Sequence, residues 1–135
     1  MTFNATSLNI ARAEKAGFVR VKPVRAPPEQ KRTLLVWPSI AEIFATGGLK
    51  QEFPHRKADG LIGLYVAGHY LTLSQRSAPD VELEKLENVS EVWALCFREP
   101  NPGFRLLGRF IEATALVGFR LYDRHTLNGI PTILP

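Results

Sequence analysis

A single cysteine, Cys96, stands in 135 residues, so the chain forms no internal disulfide and no thiolate zinc cage of its own. Histidine is almost as scarce: His55, His69 and His125 lie far apart, with no Cys or carboxylate at ligand spacing, and neither a metal nor any other cofactor is expected. Long hydrophobic runs are missing too. The longest stretch without a formal charge, Gly60 to Gln75, contains His69, Tyr70, Thr72 and Ser74 and falls short of the roughly 20 apolar residues of a membrane span. Residues Met1 to Ile10 show neither a basic n-region nor a continuous apolar h-region, which makes the cytoplasm the expected location. No P-loop, dinucleotide fingerprint, nucleophile elbow, zinc-protease motif or internal repeat occurs.

What is present is an ordinary globular composition, with 45% hydrophobic and 22% charged residues, at a length that suits one core. The charge is unevenly placed. Residues 1–35 hold seven Lys/Arg against two Glu, while the rest of the chain is close to neutral. Within the basic stretch, Arg20, Lys22, Arg25, Lys31 and Arg32 alternate with Pro23, Pro27 and Pro28, which disfavour helix and supply no N–H to a sheet. The expected organisation is therefore a basic N-terminal segment, 1–35, with a Pro-rich extended arm, and a single α+β domain over 36–135. The arm reads either as a solvated connector or as a strip that lies along a phosphate backbone.

Helix signals sit early. Ser7 to Ala16 is helix-forming and stops at Gly17, and Trp37-Pro38 opens a second helix in which Ser39 and Glu42 have capping-box spacing and Gly47-Gly48 supply the stop. Residues 49–60 are charged and broken by Pro54, which predicts a loop, and the glycines and β-favouring residues of 61–73 predict a strand or hairpin. Three β-rich runs then follow: Val89–Arg98, Phe104–Ile111 and Ala115–Tyr122, the first two separated by Glu99-Pro100-Asn101-Pro102-Gly103. The expected fold is α+β, a small antiparallel meander in the C-terminal half with the N-terminal helices on one side of it.

Strand alternation sorts the side chains. Placing Trp93, Leu95, Phe97, Phe104, Leu106, Phe110, Val117, Phe119 and Leu121 against the helices leaves Arg98, Arg105, Arg109, Arg120 and Tyr122 together on the open face. Guanidinium groups bind phosphate bidentately and stack on bases, so this face suits RNA. Glu91, Glu99, Glu112 and Asp123 are close in sequence, and surface ion pairs account for the same arginines equally well.

The strings Lys85-Leu86-Glu87-Asn88-Val89-Ser90-Glu91-Val92-Trp93-Ala94-Leu95-Cys96-Phe97-Arg98, Gly103-Phe104-Arg105-Leu106-Leu107-Gly108-Arg109-Phe110 and Leu116-Val117-Gly118-Phe119-Arg120-Leu121-Tyr122 resemble the sheet of RelE/ParE-type toxins, in particular the phage-related HigB-like branch. The resemblance covers about residues 80 to 125. It implies a RelE-like α+β domain and a ribosome-dependent endoribonuclease that drives a ribose 2′-OH onto the adjacent phosphate without a metal, with RNA or the ribosome and a cognate antitoxin as partners. On that reading Arg105, at the aromatic-Arg position, stabilises the phosphate, and Arg98 and Arg120 help to hold it. Tyr122, Asp123 and His125 occupy the place of a terminal Asp/Tyr/His group, and His125 suits acid/base work at neutral pH. The alternative is a non-catalytic RelE-like or phage-derived protein that binds nucleic acid or a protein partner through the arginine-rich face.

Overall fold

The computed structural model describes residues 8–24, 28–48, 53–69, 73–74, 83–86, 91–97, 103–123 and 132–133. In chain order the elements are α1 (Leu8–Lys15), β1 (Val19–Arg20), β2 (Thr33–Val36), α2 (Pro38–Thr46), α3 (His55–Val66), β3 (Leu73–Ser74), β4 (Leu83–Lys85), β5 (Trp93–Phe97), β6 (Phe104–Glu112), β7 (Ala115–Asp123) and β8 (Thr132–Ile133). The fold is α+β. The strands form one sheet in the order β1-β2-β7-β6-β5-β4-β3, and β8 continues along β7 beyond the end of β2.

The expected meander is β5-β6-β7, antiparallel throughout. The sheet as a whole is mixed, because β2 runs parallel to β7 and β3 parallel to β4. Of the strands that the sequence reading did not foresee, β1, β2, β4 and β8, the longest is β2, whose four residues Thr33-Leu34-Leu35-Val36 are all buried, the pattern of a strand covered on both faces. Leu34 and Val36 face α2 and α3, whereas Leu35 faces α1 together with Ala115 and Val117. Helices therefore cover both sides of the sheet, not one side. The apolar side chains of Leu35 and Val117 need a cover, and the buried Ile10 and half-buried Ala13 of α1 supply it.

The first two helices begin and end as local chemistry dictates. At the end of α1, Gly17 (φ 111°) closes a Schellman motif, with Phe18 N–H donating to Ala13 O and Gly17 N–H to Glu14 O. The start of α2 departs from the capping box: Trp37 is the N-cap with no side-chain hydrogen bond, and Pro38 fills the first turn. Gly47, at φ 88°, ends it as expected.

The largest difference is α3, which replaces the predicted loop and strand of residues 49–73 over His55–Val66. Ala58, Ile62, Tyr65 and Val66 are its buried residues, a spacing of four, seven and eight that makes one helical stripe. Burying that stripe outweighs the roughly 0.5–1 kcal/mol that each of Gly60 and Gly63 costs inside a helix. Just before α3, the buried Phe53 packs its ring against Phe44, Phe97 and Phe104 at centroid distances of 5.3, 5.4 and 5.0 Å. The C-terminus of α3 is tied to β2: Val66 O accepts from both Lys31 N–H and Arg32 N–H, and Arg32 lies 5.2 Å from the Tyr65 ring centroid.

The stretch from 20 to 32 is consequently no free arm over its described length. Val21 N–H donates to Leu34 O, Pro23 is buried, and Arg32 is held at both its backbone and its side chain. Among the described residues, no helix is long and apolar enough to cross a membrane.

Candidate nucleic-acid interface

The β6–β7 register decides which side chains share a face. Leu106 stands opposite Leu121, Arg105 opposite Tyr122 and Leu107 opposite Arg120, but the next pair is Gly108 with Gly118. One residue of β7, Phe119, is left over as a bulge, and every side chain before it changes face. Leu116 thus joins the core under α2 and α3, and Val117 turns toward α1. Of the expected β7 core set Val117/Phe119/Leu121, only Leu121 sits under α2 and α3, and Phe119 is 37% exposed.

The bulge falls before Arg120, so the arginines keep the face that alternation gives them. Arg105, Arg109, Arg120 and Tyr122 lie on the side of the sheet opposite α2 and α3. Their depths differ. Arg109 and Arg120 are exposed, Tyr122 is half-buried, and Arg105 is 1% exposed, between Cys96 of β5 and Tyr122 of β7. Its Nη1 donates to the Phe104 carbonyl at 3.2 Å. Asp123, opposite Phe104, is buried and belongs to the other face. Arg98 and His125 lie outside the described residues, as does Arg25 of the basic segment. The structure thus brings Arg105, Arg109, Arg120 and Tyr122 together, sets Asp123 apart from them, and gives no surface on which Arg105 meets solvent.

Among the described basic N-terminal residues, Arg20 and Arg32 are engaged with the fold, while Lys22 and Lys31 are exposed. Arg20 pairs with Glu14 at 3.2 Å, Lys31 approaches Glu29 at 3.7 Å, and Arg32 Nη1 donates to His69 O at 3.0 Å; Lys22 is exposed. Beside Arg32, burial pushes the Tyr65 phenol well above its ordinary pKa, against the smaller opposing pull of the guanidinium. The phenolic oxygen lies 3.5 Å from the carbonyls of Thr33 and Thr114, which meet where the β2–β7 pairing begins.

Two exposed aromatics escaped the sequence reading. Phe119 is one, and the glycine before it, inside a strand, is the signal for the bulge that exposes it. The other is Trp37, 45% exposed and stacked obliquely on Phe18 at 4.7 Å. Parallel pairing of Val36 with Gly118 sets Trp37, just past the end of β2, level with Phe119 in the middle of β7. Among the described residues, no three His, Cys, Asp or Glu side chains group as metal ligands. No protein-family model matches the chain, and comparison with curated proteins and with solved structures finds no match.

Proposed function

We propose that this α+β domain binds single-stranded nucleic acid, RNA in the first place, through the exposed part of β6 and β7, and that it does so without cleaving it. The observation that supports this most is the exposure of Arg109 and Arg120 on one sheet face with Phe119 lifted out at the adjacent bulge. Arginines hold phosphates, and an exposed ring gives a base a surface to stack on, independent of sequence. The half-buried Tyr122 lies at the margin of the same surface.

Cleavage in the manner of the RelE and HigB toxins requires Arg105 to touch the scissile phosphate. Its 1% exposure favours binding without chemistry, and gives Arg105 the role of a guanidinium embedded between strands. The test follows a fluorescein-labelled RNA of about 12 nucleotides by anisotropy, with its integrity read on a gel in the presence and absence of ribosomes. Binding of intact RNA, weakened about 5- to 100-fold by Phe119→Ala through the loss of one stacked base, supports the proposal. Equal affinity of wild type and Phe119→Ala contradicts it. Cleavage that Arg105→Ala abolishes returns the endoribonuclease, with its antitoxin, to first place.

A further inference from the structure

Away from the sheet face, α2, α3 and residues 20–24 enclose an open groove of about 910 Å3. Its walls are largely apolar, from Ala41 and Phe44 of α2 and Ile62 and Leu64 of α3. Leu64 is 43% exposed, and Val24, which also lines the groove, is 92% exposed. Lys22 and Arg56 stand around this apolar surface, and Arg20, which also lines it, is paired with Glu14 of α1. The one carboxylate among the described residues lining the groove, Asp59, faces inward to the chain: both its oxygens lie within 3.2 Å of Val24 N, whose N–H they accept, which fastens residues 20–24 across α3. The first turn of α3 carries no acidic residue and reads His55-Arg56-Lys57, so positive side chains add to the positive end of the helix dipole.

Gly60 lies in this groove, in the interior of α3. Its backbone is helical, and a Cβ built on it meets no atom within 4 Å. Among the described residues nothing packs where the missing methyl group would lie, yet glycine there destabilises the helix by roughly 0.5–1 kcal/mol relative to alanine. Gly60 and the exposed Leu64, one turn apart, share this face of α3.

We propose that the groove receives a short acidic amphipathic helix from a partner protein. Apolar side chains at helical spacing meet the exposed Val24, Ala45, Leu64 and the bare surface of Gly60, and flanking carboxylates meet Lys22 and Arg56. The positive rim selects a negative partner, and the apolar walls select side chains over nucleotides. Bases need exposed aromatic faces, and among the described residues the groove offers only the buried Phe44 and the half-buried imidazole of His55. The site is separate from the proposed RNA surface, from which the sheet divides it.

The probe is a labelled synthetic helix of about four turns, with Leu at one face and Glu at the others, compared with the same peptide carrying Gln for Glu. The expected result is saturable binding of the Glu peptide, about tenfold weaker for the Gln peptide and for Lys22→Gln/Arg56→Gln protein. Gly60→Leu, which fills the groove, removes binding while circular dichroism and thermal melting show a folded protein. Arg109→Gln/Arg120→Gln leaves peptide binding unchanged. Failure of wild type to bind the Glu peptide overturns the proposal, as does undiminished binding to Gly60→Leu. Loss of RNA affinity in Lys22→Gln/Arg56→Gln without loss of peptide affinity overturns it in favour of a nucleic-acid groove.

Discussion

Gly108 and Gly118 face each other across β6 and β7 at the point where the register slips by one residue. A Cβ on Gly108 would sit 2.4 Å from the Val117 carbonyl oxygen, and one on Gly118 would sit 2.7 Å from both Leu106 methyl carbons. The pair lets the strands close up around the bulge, and the bulge in turn exposes Phe119 and moves Val117 under α1. Sequence, register and surface chemistry meet at these two positions.

Gly108→Ala is expected to destabilise the fold by about 1–3 kcal/mol, because a backbone carbonyl cannot move aside without disturbing the ladder. Gly118→Ala is expected to cost less, since the obstacle is the Leu106 side chain, and Leu106→Ala in the same chain should recover part of that loss. Urea denaturation of the three variants measures both effects, and equal stabilities of wild type and Gly108→Ala would count against the packing at the bulge.

How legible the fold was depended on how local its determinants are. The meander could be read because Trp93 to Phe97 and Phe104 to Phe110 alternate, and because Pro100, Pro102 and Gly103 punctuate them. In β7 the same alternation failed before Arg120, since the bulge is a property of two facing glycines on different strands. Helix α3 was hidden behind Gly60, Gly63 and the β-favouring Ile62, Tyr65 and Val66, while the deciding stripe from Ala58 to Val66 derives its energy from a core shared with β2, which is distant in sequence. The arginine face followed from parity alone. The burial of Arg105 did not, because depth on a face is set by its cross-strand neighbours, Cys96 and Tyr122.

Tyr65 gives the fold a pH dependence of defined sign. Its folded pKa is raised above the ordinary value of about 10, so above that pH the unfolded chain releases a proton that the native state keeps. Its contribution is fully present below pH 10 and falls by up to about 1.4 kcal/mol per pH unit above it. Tyr65→Phe is expected to lose this part of the alkaline sensitivity while costing under about 1 kcal/mol at pH 7, because the hydroxyl contacts are 3.5 Å long. Denaturation at pH 7 and pH 11 tests it: the gap between wild type and variant should narrow or invert at the higher pH.

Arg32 belongs to the fold more than to the surface. Its guanidinium lies over the Tyr65 ring and donates to the His69 carbonyl, so Arg32→Gln is expected to lower stability by about 1–3 kcal/mol. RNA affinity at a temperature where the variant is fully folded should stay within about twofold of wild type. A variant of unchanged stability and much weaker RNA binding would assign Arg32 to the ligand.

The salt dependence of RNA binding tests the central claim most directly. Each phosphate contact with a single strand contributes about 0.7 to the slope of log affinity against log salt concentration, so Arg109→Gln/Arg120→Gln should flatten the slope by about 1.4. Anisotropy titrations of wild type and this variant at several salt concentrations measure it. A slope reduced by that amount, with intact RNA, is the expected result; identical slopes would contradict the assignment of the β6–β7 face to RNA.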